Sequence, residues 1–232
     1  MKYAVVTGST KGIGLSIAAN LIREGYFVFI NARNQCSVNL PKNNYLFIEA
    51  DMSCEEGIDN LFASIVQITE KIDCLVLNTG ATCRKKFCEL SYSDWKTAMD
   101  TNIVMPALLV KKFLPYISED GNILFIGSML GIKPHARSLP YGVSKAGVHA
   151  LVQGLVKETA ERKIRVNGVA PGFVSTDWQN EKPDWLREKI EAKIALKRFA
   201  EAEEIADLCM KIIGNTYING SVVSIDGGYD ME

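Results

Sequence analysis

Tyr141 and Lys145 stand four residues apart in Tyr141-Gly-Val-Ser-Lys145, and on a helix that spacing puts both side chains on one face. An ammonium beside a phenol favours the phenolate. The pair is therefore expected to draw the tyrosine pKa toward neutrality, as a general acid for a carbonyl oxygen requires. Ser128 follows the apolar run that ends at Ile126, and a hydroxyl delivered from that strand end could donate a hydrogen bond to the same oxygen. Asn102 lies just before Met105-Pro106, where the proline would free a backbone carbonyl near Asn102 for water or a side chain. Each feature also has a plain structural reading, since Tyr-x-x-x-Lys arises by chance on many helices and asparagines commonly serve the fold alone.

A second constellation sits at the start of the chain, in Val6-Thr-Gly-Ser-Thr-Lys-Gly-Ile-Gly14. It follows an apolar run, Tyr3 to Val6, and precedes an amphipathic one, Leu15 to Arg23, so the glycines fall where a strand turns into a helix. Unpaired N–H groups and the helix dipole make such a turn a phosphate site. Gly8 permits the tight turn, Gly12 the close approach of a pyrophosphate and Gly14 the packing of helix on sheet, with Ser9, Thr10, Lys11 and Ile13 between them. The spacing departs from G-x-G-x-x-G, and a ligand-free turn is the alternative. Past the next apolar run, Tyr26 to Ile30, come Asn31-Ala-Arg33, with no Asp or Glu between Tyr26 and Gln35. A carboxylate there would suit a ribose 2′-OH and an arginine a 2′-phosphate, so Arg33 with Lys11 points to NADP(H). Two solvated surface cations are the alternative.

The elements that must position these groups alternate. Tyr45–Ile48 reads as a third strand and leads to Asp51-Met52; Asp51 could bond an adenine amino group or cap the next helix with Ser53 in Ser53-Cys-Glu-Glu56. Ile58, Leu61, Phe62, Ile65, Val66 and Ile68 recur at helical spacing. Asp73–Leu77 is a fourth strand running into Asn78-Thr-Gly80, whose glycine lets the backbone approach a cofactor. Ser91 to Tyr116 reads as two helices or one bent helix, Gly121–Ile126 as the fifth strand, and Tyr141 to about Glu161 as a long helix. Arg165–Pro171 is the sixth strand, stopped at Pro171-Gly172, and Thr176 beyond it could hold a carboxamide. The stretch around 173–197, with Trp178 and Trp185, reads as a substrate lid. A helix from Glu201 to Ile213 and a strand within Gly220–Gly228 close the chain, and one domain spanning 1–232 is expected.

Hydrophobic content of 47% and a net charge of −1 describe an ordinary soluble protein, with no global reason for nucleic acid or an anionic membrane as partner. The cysteines, Cys36, Cys54, Cys74, Cys83, Cys88 and Cys209, form no C-x-x-C pair, so no metal site is expected. With no signal-peptide pattern and no apolar run long enough to span a bilayer, a cytoplasmic location is expected.

As a set, these residues resemble the short-chain dehydrogenases/reductases over nearly the whole chain. Thr7-Gly-x-x-x-Gly-Ile-Gly14 looks like that family's cofactor loop, Asp51 with Met52 its adenine contact and Asn78-x-Gly80 its strand-four motif, with Thr79 where alanine is more usual. Asn102, Ser128, Tyr141 and Lys145 fall where its catalytic tetrad lies. Asn167, Pro171-Gly172, Val174 and Thr176 match its sixth-strand and nicotinamide-carboxamide motifs. The resemblance implies a Rossmann-type, doubly wound α/β fold: a seven-stranded parallel sheet in order 3-2-1-4-5-6-7, flanked by helices. It also implies homotetramers or homodimers, and a mechanism with Tyr141 as proton donor, Ser128 orienting the substrate oxygen, Lys145 on the ribose and Asn102 holding a water.

Within the family the chain is most similar to 3-oxoacyl-acyl-carrier-protein reductases, through Leu196-Lys-Arg-Phe-Ala-Glu-Ala-Glu-Glu-Ile-Ala206 and Ser224-Ile-Asp-Gly-Gly228. Arg84-Lys-Lys86, or Lys133 with Arg137, is then the candidate dock for an acidic carrier. A sugar, steroid or alcohol dehydrogenase is the alternative, and a non-catalytic NADP-binding sensor is the alternative from another class.

Overall fold

The computed structural model describes residues 1–35, 37–134, 138–179 and 182–229. The apolar, β-branched runs form strands β1 (Lys2–Val6), β2 (Tyr26–Ala32), β3 (Tyr45–Glu49), β4 (Ile72–Leu77), β5 (Ile117–Ile126), β6 (Arg165–Pro171) and β7 (Val222–Ile225). They pair in one seven-stranded sheet, ordered β3-β2-β1-β4-β5-β6-β7, with every register parallel. Helices cover both faces, which is why the central strands read as continuous apolar runs. Seven α-helices are described: α1 (Gly12–Arg23), α2 (Glu55–Val66), α3 (Tyr92–Met99), α4 (Met105–Phe113), α5 (Leu139–Thr159), α6 (Asp184–Glu191) and α7 (Ala202–Gly214).

Two apolar cores lie on opposite faces of the sheet. Val5, Leu75, Ile123, Phe125 and Val166 pack with α2, α4 and α5 through Ile58, Phe113 and Val152. Val6, Val28, Val76 and Leu124 pack with α1 and α7 through Ile17, Leu21, Ile205 and Cys209. The chain crosses from one side of β1 to the other between β3 and β4, so the carboxyl ends of β1 and β4 diverge into a crevice, the usual place for a ligand in such a sheet.

Several local expectations need correction. Ser53 does not cap α2: Cys54 is the N-cap residue and makes no side-chain cap, while the Ser53 N–H donates to Asp51 Oδ1 at 2.9 Å. Asp51 thus closes a turn ahead of the helix. The break expected at Met105-Pro106 is a π-helical turn, Asp100–Val104, with Asn102 inside it; inserting one residue into the helical ladder turns the Asn102 side chain inward. The final strand is only Val222–Ile225, and the 173–197 stretch contains a real helix, α6. A capping box forms at Ser91, which exchanges bonds with Asp94 and starts α3.

Gly57 is a requirement the sequence did not announce. A Cβ built there would lie 1.8 Å from the Asp51 carbonyl oxygen, so α2 rests directly on the backbone of the β3–α2 turn. Gly57→Ala is expected to destabilise the protein by about 1–3 kcal/mol, read as a lower denaturation midpoint at unchanged m-value.

Candidate functional site

The glycine loop is held from two sides. From β4, Asn78 Nδ2 donates to the Thr7 and Gly8 carbonyls at 3.0 and 2.9 Å, and Thr7 Oγ1 accepts the N–H groups of Asn78 and Thr79. From β2, buried Asn31 accepts the Gly8 N–H on Oδ1 and donates through Nδ2 to the Ile48 and Ala50 carbonyls. Asn31 is a structural hub that sequence reasoning passed over; an asparagine closing a strand otherwise buried on both faces was the available signal. The Ser9 hydroxyl is spent inside the loop, donating to Val6 O and accepting from Asn31 N, and the Ser9 N–H donates to Asn31 O at 2.9 Å, so Ser9 holds the loop rather than a phosphate.

Gly8 and Gly12 have φ of 60° and 52°, where a side chain would be strained. A Cβ on Gly14 would meet Gly8 O at 2.4 Å. The loop is thus closely packed at the start of α1 with room only for glycine, and its opposite wall is Thr176, whose Cγ2 lies 3.1 Å from where a Gly12 Cβ would be. These residues fit the dinucleotide that the sequence implies. Lys11 reaches across the same opening to Asp177, 3.1 Å away, both side chains more than half exposed; a pair so placed contributes little to stability. Arg33 is exposed just past β2 and has no hydrogen-bond or ion-pair partner among the described residues. Met52 is buried and, with Thr7, Thr79 and Thr101, lines a small void beneath the turn. Thr79 Oγ1 is buried there with no partner among the described residues.

The second group gathers one strand over. Tyr141 and Lys145 lie on α5 as expected, and the Lys145 Nζ stands 5.7 Å from the centroid of the Tyr141 ring. The Ser128 hydroxyl, from the turn after β5, stands beside the Tyr141 phenol and favours its ionised form, and it accepts the Leu130 N–H at 3.2 Å. The Asn102 side chain clamps rather than reaches: Oδ1 accepts Ala81 N–H, and Nδ2 donates to Ala81 O and to Ser144 Oγ at 2.9 and 2.8 Å. With both Nδ2 protons committed, a water at Asn102 would sit on its backbone carbonyl, which loses its α-helical donor because Pro106 has no N–H. Gly80 lies where these meet; a Cβ there would be 3.3 Å from Asn102 Oδ1 and 3.7 Å from Lys145 Nζ.

The electrostatics reverse one expectation. Burial pushes the Tyr141 phenol up to about 12 rather than toward neutrality, against the opposing pull of the Ser128 hydrogen bond and of the Arg84 charge. Lys145 does not offset this, because its Nζ is buried, donates to Ile126 O at 2.6 Å and lies over the ring rather than at the hydroxyl. Burial brings the Lys145 ammonium down to about 8.

The 173–197 stretch crosses the mouth of the site. Trp178 packs edge-on to Tyr141 at 6.0 Å, its backbone oxygen accepts a bond from Arg84, and its ring lies near Gly80. Val174 is buried and pairs in a parallel bridge with Ala200. Pro171 ends β6 and Gly172 N–H donates to Ile225 O. Of the basic groups considered as a dock, Lys85 is neutralised by Asp94 at 2.8 Å, Lys133 has a partner and Arg137 lies outside the described residues. No cluster of metal-ligating side chains occurs among the described residues, and none of their helices is long and apolar enough to cross a membrane.

The family model described as short chain dehydrogenase matches residues 2–187. This chain belongs to that family. It is an oxidoreductase of a class that binds a nicotinamide cofactor. It is 32% identical to the 3-oxoacyl-[acyl-carrier-protein] reductase FabG of Aquifex aeolicus, covering 98% of this chain and 96% of that one. A short chain dehydrogenase family protein from Francisella tularensis superposes with a TM-score of 0.91 at 26% identity, each chain fully covered. The RhlG/NADP active-site complex of Pseudomonas aeruginosa superposes at 0.88 with 28% identity, covering 99% of this chain and 96% of that one.

Proposed function

We propose that the chain is an NADPH-dependent carbonyl reductase, acting on 3-oxoacyl groups presented as thioesters on a carrier protein. The observation that carries the reading is the Tyr141 phenol beside Ser128 with Lys145 Nζ over the same ring at 5.7 Å, a proton donor and a second donor gathered at the sheet's carboxyl edge. The similarity to the Aquifex reductase supports the substrate class. When bound, the nicotinamide supplies hydride. The protein's part is to deliver the Tyr141 proton to the carbonyl oxygen, orient that oxygen with Ser128, and hold the cofactor ribose with Lys145. Asn102 fixes the Ala81 backbone and the Ser144 hydroxyl around them.

Gly8, Thr10, Gly12, Ile13 and Gly14 form the pyrophosphate cradle in this reading, and Lys11 with Arg33 takes the 2′-phosphate. Asp51, Met52, Asn78 and Gly80 border the adenosine half, while Pro171, Gly172, Val174 and Thr176 border the carboxamide. The 173–197 stretch acts as the lid of a single domain, and the protein works as a cytoplasmic homotetramer or homodimer. Arg84 and Lys86 remain as the basic groups for an acidic carrier.

The test is a spectrophotometric screen of acetoacetyl thioesters, simple ketones and sugars with NADPH and NADH side by side. Reduction of ketones or sugars but not of thioesters overturns the carrier assignment, and a clear NADH preference overturns the cofactor assignment. Arg33→Ala is expected to weaken NADPH binding about tenfold while leaving NADH binding unchanged, since only the phosphorylated ribose gains from the cation; cofactor fluorescence titrations check this.

A further inference from the structure

His149 lies one turn beyond Lys145 on α5, so Tyr141, Lys145 and His149 form a single stripe. Its imidazole is fitted into the turn that carries Ser128. A Cβ on Gly127 would come within 2.4 Å of His149 Nε2, and one on Gly131 within 2.7 Å of Cε1. The two glycines bracketing Ser128 therefore leave the space that the ring occupies. Nε2 faces the Ser128 backbone N–H at 3.5 Å, while the Ser128 Oγ accepts the Leu130 N–H and stands beside the Tyr141 phenol. We propose that His149, as the neutral imidazole protonated on Nδ1, is a positioning residue: it holds the Ser128 turn through the serine's N–H, and protonation of Nε2 releases that turn. The inference rests on the role given to Ser128 above.

Its surroundings keep the ring neutral. Burial lowers the His149 pKa, and the Lys145 ammonium acts in the same direction. The other elements against the ring, the Met129–Gly131 turn and β6 near Val169, present no charged side chain. On α3 and the Asp100–Val104 turn, which also pack against α5, Asp94 is paired with Lys85 and Asp100 with Lys96. The proton must be absent for Nε2 to accept, so the turn is held above the imidazole's midpoint and released as pH falls through it, below the ordinary 6.5.

Imidazole nitrogen NMR on the full-length protein tests this without requiring turnover. The chain has 2 histidines, so a His135→Asn variant assigns the signal. The expected result is an unprotonated Nε2 at neutral pH and a Ser128 amide resonance that shifts with the same midpoint as the ring. A protonated Nε2 at neutral pH, or a Ser128 amide indifferent to the titration, overturns the proposal. In the kinetic arm, His149→Leu lowers kcat about tenfold with KM little changed, from the unpaired Ser128 N–H, and His149→Gln, which offers a non-titrating acceptor, recovers most of that loss and removes the acid limb of the pH profile. A His149→Leu profile superposing on wild type also overturns it. If the wild-type protein reduces no carbonyl, the functional reading fails and the NMR arm still decides the role of His149.

Discussion

Tyr141→Phe lowers kcat by about 10²–10⁴-fold, the usual worth of a positioned general acid, while NADPH binding stays within a few-fold of wild type. The separation follows from what the substitution removes. Phenylalanine keeps the ring that packs edge-on against Trp178 and lies over the Lys145 ammonium, so the wall of the site survives. Only the hydroxyl beside Ser128 is lost, and Ser128 still accepts from Leu130. Because burial holds the phenol near 12, the wild-type group carries its proton throughout the neutral range, and no alkaline loss of the donor is expected near pH 7. Stopped-flow turnover paired with cofactor fluorescence titration makes the comparison. Residual turnover near the wild-type rate would remove Tyr141 from the chemistry, and loss of NADPH binding in parallel would mean that the hydroxyl supports the cofactor pocket instead.

The contrast between Tyr141's placement and its pKa shows what a sequence can carry. Spacing placed Tyr141 and Lys145 on one face of α5 because helix geometry is local, and strands buried on both faces announced themselves as apolar runs. The glycine loop was legible for the same reason: a strand, a turn and a helix are contiguous in the chain. Burial is not local, so the desolvation that raises Tyr141 and lowers Lys145 could not be read from a pentapeptide. The π-helical turn that aims Asn102 at Ala81 had only Pro106 as a hint. Pairings between distant segments were invisible altogether: Lys11 with Asp177, Asn31 with Ala50, and Arg165, whose guanidinium caps the carbonyls at the end of α7. These need the sheet order, which came only from the family likeness.

Lys145→Met silences turnover and at the same time stabilises the protein at pH 7. The wild-type ammonium is buried and has one backbone partner, Ile126 O, and its pKa falls from 10.5 to about 8 because folding strips it of water. The sign follows from proton counting. Below about 8 both folded and unfolded states carry the charge and the full desolvation cost opposes folding. Between about 8 and 10.5 the folded state has shed the proton while the unfolded state still holds it, so the cost shrinks, and above 10.5 it vanishes. That shift corresponds to roughly 3 kcal/mol, of which an unpaired Ile126 carbonyl returns about 1–2 kcal/mol. The net gain of about 1–2 kcal/mol raises Tm by about 2–8 °C for a chain of this size. Denaturation from pH 6 to 11 should show the advantage of the variant fading across the alkaline arm. A gain that persists undiminished at pH 11 would trace to better methionine packing rather than to the buried charge. No gain at pH 7 would mean that the Ile126 hydrogen bond already offsets the cost, leaving Lys145 strained only in its protonation and not in its contribution to folding.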